Sequence, residues 1–474
     1  GVSAGSSGGV IYNLGGNVSL ADSWVMDSFA DGDQAIGGAI YNGGGGHLQV
    51  EDSTLLNNLV GWSSGSGGAI YNLASDLTLI RADFVENEAH GATGRGGALY
   101  NDAEGTVRVD SSLFFRNLAR GAVGRGGAIY HGSGTLTSRW SSFSRNQAGG
   151  AGGEGGGVWN GSGILVVEDS LFLSNIGGGA GGVGGGVFNL EGVVQIARSK
   201  LKFNSSAGAV GRGGAILSQG GDLEISDTEL LGNRAEGNGG ALYLRGTASC
   251  RILRSLCQAN IAQGTPGTSR GGGIYLEAGR LFAANTTFSL NEWATGAAIF
   301  NEGGEAELVH CTLFNEPATS SLTAIFNEST LRLSNSLVLT TASDLNCANT
   351  GTFVDGGGNL VSDGSCPGIP SAVITGFDTA LANHGGQTAT HALLAGSNAI
   401  DAALLTGCGF AGAGSVDQRG AQRGVDGDGA PGSPQVGDCD VGAYEFSAAA
   451  PPWRIFSDDF ESGDTGSWSD QSSP

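Results

Sequence analysis

Short segments in which apolar and polar residues alternate recur through the first 340 residues, and glycine and asparagine separate them. Alternation of this kind predicts β-strands, while Gly and Asn predict the turns between them. Variants of the motif Gly-Gly-Ala-Ile-Tyr-Asn precede the alternating segments. The large apolar position of this motif recurs, at spacings of 25 to 32 residues, at Tyr12, Tyr41, Tyr71, Tyr100, Tyr130, Trp159, Phe188, Leu217, Tyr243, Tyr275, Phe300 and Phe326.

A repeat of this length predicts a solenoid in which each period forms one coil. Apolar residues are not sustained at helical spacing in any window, and the 89 glycines would destabilise helices. We therefore predict an all-β protein, a parallel β-helix of about twelve coils. At ~4.8 Å per strand, such a rod is roughly 55 to 60 Å long.

The alternation also assigns faces within each coil. The residue before the large apolar position is always aliphatic, as at Ile40 and Ile70, so we expect it to face the interior column. The asparagine two residues later should point the same way and stack into a ladder of hydrogen-bonded amides. A second motif, Phe-x-x-Asn, predicts a second amide ladder and recurs at 84–87, 114–117, 143–146, 172–175 and 288–291.

Aromatic residues follow the aliphatic positions and should therefore lie on the opposite side of the strand. In a regular strand they form an outward stripe that could bind a ligand, and the candidate residues are Tyr41, Tyr71, Tyr100, Tyr130 and Trp159. Two other arrangements are compatible with the sequence. A bulge after Gly-Gly could turn the rings into the core, or another segment could cover them.

A column with alternating charges lies six residues before each asparagine of the second ladder. It contains Asp52, Arg81, Ser111, Trp140, Asp169, Arg198, Asp227 and Arg254. Parallel stacking brings unlike charges together on neighbouring coils. We interpret the column as a ladder of ion pairs that helps to set the register, rather than as a catalytic Asp/Arg pair.

Arginine precedes Gly-Gly in four loops, at Arg95, Arg125, Arg212 and Arg270. On the flank of a β-helix, arginine could clamp the carboxylate of a uronate. It could equally be a solvated loop residue that binds nearby carbonyl groups. Because Glu154 and Val183 interrupt the column, we do not expect a long anion-binding groove.

Charge limits the range of partners. The chain has 45 acidic and 22 basic residues, which gives a formal net charge of −23. Nucleic acid and anionic membrane surfaces are therefore poor partners. The sequence has no initiating Met, no signal peptide and no apolar run of about 18 residues, so we expect a processed chain without a transmembrane segment.

All seven cysteines lie from position 250 onward. Cys347 with Cys366 and Cys408 with Cys439 bracket loops rich in Gly, Asp and Ser, which predicts two disulfides. Disulfides indicate an oxidising, extracytoplasmic setting. The other three cysteines are Cys250, Cys257 and Cys311, and they leave at least one thiol unpaired.

The composition changes near residue 340 and divides the chain into three predicted domains. Residues 1–340 are the β-helix repeats, and residues 341–446 are placed to cap the open apolar end of the solenoid. Residues 447–474 are a linker followed by a tail for sorting, attachment or assembly. The aromatic residues of this tail are Trp453, Phe456, Phe460 and Trp468.

The paired G-G-A-I and F-x-x-N motifs resemble the repeats of bacterial polymorphic outer-membrane proteins, which are adhesins with a right-handed β-helix passenger. This resemblance covers about residues 8–340 and implies a right-handed β-helix. Segments of 345–446 closely resemble the choice-of-anchor Q domain of secreted and surface-attached bacterial proteins. They are N-H-G-G-Q-T-A-T-H-A-L-L, G-S-N-A-I-D, D-Q-R-G and C-D-V-G-A-Y-E-F. The tail is similar to C-terminal segments of exported bacterial proteins.

Calcium is the one cofactor that the sequence suggests, although none is required. Four carboxylates in and near an acidic, Gly-rich turn could bind Ca²⁺, namely Asp426, Asp428, Asp438 and Asp440. An ordinary acidic turn is the alternative. The six histidines are dispersed, and no nucleophile elbow of the G-x-S-x-G type is evident.

We therefore predict a non-enzymatic, secreted or surface-attached rod with a structural or adhesive function. Its open first coil could accept another copy of the chain, which gives head-to-tail filaments. One alternative is a polysaccharide lyase or hydrolase, which needs acids and a base on neighbouring coils. The other is a rod that binds surface glycans through the aromatic stripe.

Overall fold

The structure is a computed structural model. The residues that it describes are 7–32, 35–61, 64–264, 269–292, 295–315, 323–340, 345–404, 408, 414–424 and 439–446. All the regular secondary structure within these residues consists of β-strands, and the strands form a parallel β-helix. The predicted fold class is thus confirmed.

Three parallel sheets of 13 strands each follow the solenoid axis. The first sheet contains β1 (Ile11–Leu14), β5 (Ile40–Gly43), β9 (Ile70–Leu73), β13 (Leu99–Asp102), β17 (Ile129–His131), β21 (Val158–Asn160), β25 (Val187–Asn189), β29 (Ile216–Ser218), β33 (Leu242–Leu244), β37 (Ile274–Leu276), β40 (Ile299–Asn301), β43 (Thr323–Asn327) and β46 (Leu345–Asn349). The second sheet contains β2 (Asn17–Ala21), β6 (His47–Glu51), β10 (Asp76–Ile80), β14 (Thr106–Asp110), β18 (Thr135–Arg139), β22 (Ile164–Glu168), β26 (Val193–Ala197), β30 (Asp222–Ser226), β34 (Ser249–Leu253), β38 (Arg280–Ala284), β41 (Glu305–Val309), β44 (Thr330–Ser334) and β47 (Thr352–Asp355).

The third sheet closes each coil on the Phe-x-x-Asn side. It contains β3 (Trp24–Met26), β7 (Thr54–Leu56), β11 (Asp83–Val85), β15 (Leu113–Phe115), β19 (Ser142–Ser144), β23 (Leu171–Leu173), β27 (Lys200–Lys202), β31 (Glu229–Leu231), β35 (Leu256–Gln258), β39 (Thr287–Ser289), β42 (Thr312–Asn315), β45 (Leu337–Thr340) and β48 (Leu360–Val361). A fourth, nine-stranded sheet of short strands contains β4 (Phe29–Ala30), β8 (Leu59–Val60), β12 (Glu88–Ala89), β16 (Leu118–Ala119), β20 (Gln147–Ala148), β24 (Ile176–Gly177), β28 (Ser205–Ser206), β32 (Arg234–Ala235) and β36 (Ile261–Ala262). An antiparallel pair, β49 (Phe377–Ala382) and β50 (Thr390–Leu393), follows the solenoid.

The paired strands continue past residue 340. Strands β46, β47 and β48 add a thirteenth member to the three long sheets, so the solenoid extends to Val361. This last coil lacks the Gly-Gly-Ala-Ile-Tyr-Asn motif, although Asn349 pairs with Asn327 in the register of the preceding coils.

Equivalent residues pair from coil to coil, which builds a continuous apolar column. Ile11 pairs with Ile40, and Ile40 pairs with Ile70, as the motif spacing predicts. The phenylalanines of four successive Phe-x-x-Asn motifs stack inside the column with ring centroids 4.5 to 4.9 Å apart. The column is the main hydrophobic core of the molecule.

Both predicted amide ladders are present. In the first ladder the Nδ2 of Asn13, Asn42 and Asn72 donates to the Oδ1 of the next asparagine at 2.7 Å. The second ladder has the same sense, with distances of 2.9 to 3.0 Å, and joins Asn58, Asn87, Asn117, Asn146, Asn175, Asn204, Asn233, Asn260 and Asn291. Its Oδ1 atoms also accept a backbone N–H from the neighbouring coil, so these buried amides are well satisfied.

A ladder of hydroxyl groups, which the sequence analysis missed, links the turns between the second and third sheets. Ser112, Ser141 and Ser170 lie one coil apart, and each backbone N–H donates to the hydroxyl of the following coil at 3.0 to 3.1 Å. The residue before each hydroxyl has a positive φ, for example 49° at Trp140. The charged column occupies these left-handed positions, where Asn and Asp are the favoured residues besides Gly.

His131 interrupts the first amide ladder. Its Nδ1 lies 3.0 Å from the Nδ2 of Asn101, while the Oδ1 of Asn160 on the next coil is buried and has no hydrogen-bond partner among the described residues. Since the amide can only donate, Nδ1 must accept, and the ring is neutral with its proton on Nε2. Burial lowers the pKa of His131 to about 4.

We expect the substitution Asn146→Ala to lower the free energy of unfolding by about 3 kcal/mol, because it removes partners from three buried groups. These groups are the backbone N–H of Asn117, the Nδ2 of Asn117 and the carbonyl of Phe114. Urea unfolding followed by circular dichroism measures the loss. The control is Trp140→Asn, at a 62% exposed left-handed position. Equal losses in both variants would contradict a special role for the ladder.

We expect His131→Asn to make the protein less sensitive to acid. The unfolded histidine takes up a proton near pH 6.5 and the folded one only near pH 4, so stability falls as the pH falls through this interval. At pH 5 this protonation lowers the free energy of unfolding of the His131 protein by about 2 kcal/mol. Urea unfolding of both proteins between pH 5 and pH 8 measures it, because groups common to both proteins cancel. Parallel pH profiles would show that His131 is not the cause.

Candidate functional site

The aromatic residues of the first motif form a second ladder outside the column. From Tyr12 to Phe188, neighbouring rings stack with centroids 4.5 to 6.1 Å apart. A second run of stacked rings extends from Tyr243 to Phe326. The rings belong to a hydrophobic cluster separate from the column, so they lie on the opposite side of the first sheet from the aliphatic residues.

This aromatic ladder is covered, which corrects the expectation of an exposed stripe. Tyr41, Tyr100, Tyr130 and Trp159 are only 5 to 9% exposed, and Tyr71 is half-buried. By contrast, Tyr12 on the first coil is 57% exposed. Regular alternation placed the rings on the outer side of the sheet, as predicted. Segments from other parts of the coils then cover them, as in the second alternative.

The four loop arginines are part of this cover. Each guanidinium lies over a ring of the following coil, with Arg95 5.5 Å from the centroid of Tyr130 and Arg125 5.3 Å from that of Trp159. Arg212 and Arg270 lie in the same way over the following coil, at 5.3 and 4.8 Å from its ring. Cation–π contact is therefore what the four arginines share. Neither of the two sequence interpretations anticipated it.

Carboxylates bind the polar edges of the rings. The Tyr100 hydroxyl donates to Asp102 at 2.8 Å, and the Trp159 indole donates to Glu154 at 2.9 Å. Glu154 also pairs with Arg125 at 2.8 Å. Burial, reinforced by Asp102, raises the pKa of Tyr100 above its ordinary value. These ring edges are thus committed to structural hydrogen bonds rather than presented to a ligand.

The charged column forms the predicted ion pairs. Arg81 binds both carboxylate oxygens of Asp52 at 2.6 and 2.7 Å, and its hydrogen bond lowers the pKa of Asp52. Equivalent two-point pairs, at 2.7 to 2.9 Å, join Arg198 to Asp169 and Arg254 to Asp227. The column therefore links neighbouring coils at the surface.

The end of the column is closed by residues near the first disulfide. Cys347 and Cys366 are bonded, as predicted, and both lie in the main core together with Ile369. Cys408 and Cys439 form the second predicted disulfide. Cys250, Cys257 and Cys311 are free thiols buried in the column, where burial raises the pKa of Cys257 and Cys311 to about 12.

The described part of residues 372–446, here called the flank domain, packs on the flank of the solenoid. The ring of Phe314, on β42, contacts Phe377 and His391 with centroids 5.5 and 4.9 Å apart. Ser289 Oγ lies 2.9 Å from His391 Nε2, and Thr287 donates to Gln418 at 2.6 Å. Outward residues of the third sheet thus become a buried interface, and a capping role for residues 341–446 stays a prediction.

A buried polar network fixes this flank domain to the solenoid. Arg423 donates to Glu445 at 3.0 Å and to Asn285 of the β-helix at 2.9 and 3.1 Å. Arg419 pairs with Asp417 and lies 3.7 Å from the ring centroid of Tyr444. The runs D-Q-R-G and C-D-V-G-A-Y-E-F therefore meet in one cluster, although 18 residues separate them in the sequence.

Little of the predicted calcium site falls where the structure can be described. Asp426, Asp428 and Asp438 lie outside the described residues, so calcium binding stays a prediction. Asp440 is described: it accepts backbone N–H groups of Asp401 and Phe446, and burial together with Glu445 raises its pKa to about 7. The tail residues Trp453, Phe456, Phe460 and Trp468 also lie outside the described part.

A groove on the outer face of the second sheet was missed by the sequence analysis. Two adjoining depressions of about 350 and 470 Å³ follow β34, β38, β41 and β44. One row of outward residues contains Ser249, Arg280, Glu305 and Thr330, and the parallel row contains Arg251, Phe282, Glu307 and Arg332. The sequence does contain a signal for this groove. Phe282 lies at an outward position, and the equivalent positions of the preceding and following coils are charged.

Charges of both signs line this groove. Arg280 pairs with Glu305 at 3.0 Å, with side chains 76 and 64% exposed, and Arg332 lies 3.6 Å from Glu307. The Arg251 guanidinium is 5.0 Å from the centroid of Phe282. The arrangement offers hydrogen-bond donors, acceptors and an apolar ring to a ligand that lies along the sheet.

Searches of family models, curated proteins and solved structures found no match for this chain. No helix in the described residues is long and apolar enough to cross a membrane.

We expect Arg423→Gln to release the flank domain, because it leaves the buried Glu445 carboxylate without its cation and removes the guanidinium that donates to the Oδ1 of Asn285. Limited proteolysis should then cut within residues 372–446 at least about tenfold faster, while the β-sheet circular dichroism of the solenoid persists. The control is Arg116→Gln, which removes an exposed pair with Glu86. Equal cleavage of both variants would show that the network does not hold the domain.

Proposed function

We propose that this protein is a non-enzymatic, extracellular rod with a structural or adhesive function, attached to the cell surface through its C-terminal part. The proposal rests on one observation, which is that the residues most typical of a binding or catalytic site make structural contacts between coils. The stacked aromatics, the loop arginines and the charged column all join one coil to the next. Such a surface supports length and rigidity, which a scaffold needs and a catalyst does not.

Two features support the proposed extracellular location. The two disulfides suit an oxidising compartment, where such bonds persist. The flank domain contains the runs that resemble a choice-of-anchor Q domain, and that resemblance implies a secreted or surface-attached bacterial protein. In the structure these runs form the buried network that joins the flank domain to the solenoid. Attachment of the protein to a cell surface is the proposal that the resemblance adds.

Assembly into filaments is the sharper form of this proposal. Strands β1, β2 and β3 lie at one edge of their sheets, and Tyr12, Leu14 and Trp24 on this coil are 57 to 66% exposed. An exposed strand edge beside apolar side chains is a template for further pairing. The proposed occupant is the tail of the next copy, residues 447–474, with its four aromatic residues.

Electron microscopy of the purified chain tests assembly. We expect filaments from residues 1–474, and single rods both from residues 1–446 and from a full chain with four alanines in the tail. The alanines replace Trp453, Phe456, Phe460 and Trp468. Single rods in all three samples would contradict head-to-tail assembly. Filaments in all three would assign the contact to another surface.

A second candidate function, polysaccharide hydrolysis, rests on Glu305 and Glu307. The two carboxylates lie two residues apart on the outer face of β41, within the groove. Glycosidases use such a pair. However, the Glu305 side chain is 64% exposed, and water-filled surroundings do not provide a desolvated acid. Release of reducing ends from polysaccharides, abolished in Glu307→Gln, would favour hydrolysis over the rod.

A further inference from the structure

We propose that the groove on the second sheet binds an oligosaccharide that carries a carboxylate group, such as a chain containing a uronic acid. This inference rests on the adhesive function proposed above and names a ligand class for it. The site differs from the aromatic stripe, which is covered.

The shape of the groove suits a chain ligand. Its two rows of outward residues cross four strands, and at ~4.8 Å per strand each row is about 14 Å long. The two depressions share Ser249, Arg280, Glu305 and Thr330, so they form one continuous, shallow surface. An extended ligand can contact both rows at once, whereas a compact cofactor would leave most of the surface unused.

Phe282 supplies the apolar contact. It is the one aromatic residue in the central outward row of the second sheet, where earlier coils have residues such as Thr137, Val166 and Gln195. The ring is half-buried and packs on a small apolar cluster with Leu253, Ala284 and Val309. A ring fixed in this way, bordered by polar side chains, matches a sugar, which presents C–H groups beside hydroxyl groups.

The charges select an acidic sugar. Three arginines and two glutamates line the groove, an excess of one positive charge (3 − 2) on a chain whose net charge is −23. Arginine binds carboxylates through two parallel hydrogen bonds. The exposed pair of Arg280 with Glu305 contributes little stability, so it can rearrange around a ligand.

The same charges argue against other ligands. The net charge of −23 strongly repels a dense polyanion such as nucleic acid, whereas it repels a ligand with widely spaced carboxylates less. An acidic peptide could use the arginines, but an open face without deep side-chain pockets gives it no anchor.

Isothermal titration of the full chain tests the proposal with three probes. They are a hexasaccharide of alternating glucose and glucuronate, the same hexasaccharide after reduction of its carboxyl groups, and a Glu-Gly hexapeptide. We expect the acidic hexasaccharide to bind at least about tenfold more tightly than either of the others. No binding of the acidic hexasaccharide, or equal affinity for the reduced form or the peptide, would overturn the proposal.

Variants locate the site. Arg251→Gln and Phe282→Leu should each weaken binding about tenfold or more, and leucine keeps the apolar packing of the groove floor. The matched control is Arg108→Gln, at the same outward position of β14, where Arg108 pairs with Asp110. Unfolding midpoints confirm that each variant is folded. Binding that survives both groove variants would place the ligand elsewhere and overturn the assignment.

The outcome is separable from that of the proposed function. Filaments without glycan binding would remove this inference and leave a purely structural rod. Glycan binding by single rods would remove head-to-tail assembly and leave an adhesive rod.

Discussion

Coil-on-coil register is the constraint on which the rest of this structure depends. Each residue of a coil pairs with the equivalent residue of the next coil, so the same side-chain type meets itself along the axis. For aliphatic residues this repetition builds a column, and for rings it builds stacks. Buried asparagine is tolerated because its amide both donates and accepts, so that a neighbour of the same kind satisfies it. A charge has no such self-complementarity, which explains why charged positions alternate in sign.

Repetition also explains why conspicuous residues are a poor guide to function in this fold. Aromatic rings, arginines and paired charges attract functional interpretations in a globular enzyme, but in a solenoid each recurs because its neighbour recurs. The informative positions are the ones that leave the pattern. His131 replaces an amide in the first ladder, and Phe282 places a ring where earlier coils have aliphatic or polar residues. The first produces a defect in the core, and the second produces a surface with its own chemistry.

The sequence alone predicted the coil, its two amide ladders and both disulfides, because these depend on residues at fixed spacing or on paired cysteines. The sequence did not predict contacts between residues that occupy different positions within neighbouring coils. Arg95 covers Tyr130, which lies 35 residues further along the chain and beyond one repeat. The place where the flank domain packs on the solenoid was not predicted, for a similar reason. Outward residues of β27 are lysines, while those of β39 and β42 include Thr287, Ser289 and Phe314, but absence of charge alone does not identify an interface.

The amide ladders give the rod a chemical direction. Each Nδ2–H group points toward the following coil and each Oδ1 toward the preceding one, so the donors and acceptors along the core are aligned head to tail. Aligned hydrogen bonds polarise one another, and the two ends of such a chain are not equivalent. At the start of the second ladder the Oδ1 of Asn58 accepts the backbone N–H of Ser28 on the first coil at 3.1 Å, and at its far end the Nδ2 of Asn260 donates to the Oδ1 of Asn291. Growth of this solenoid, whether within one chain or between chains, is therefore vectorial at the level of single hydrogen bonds.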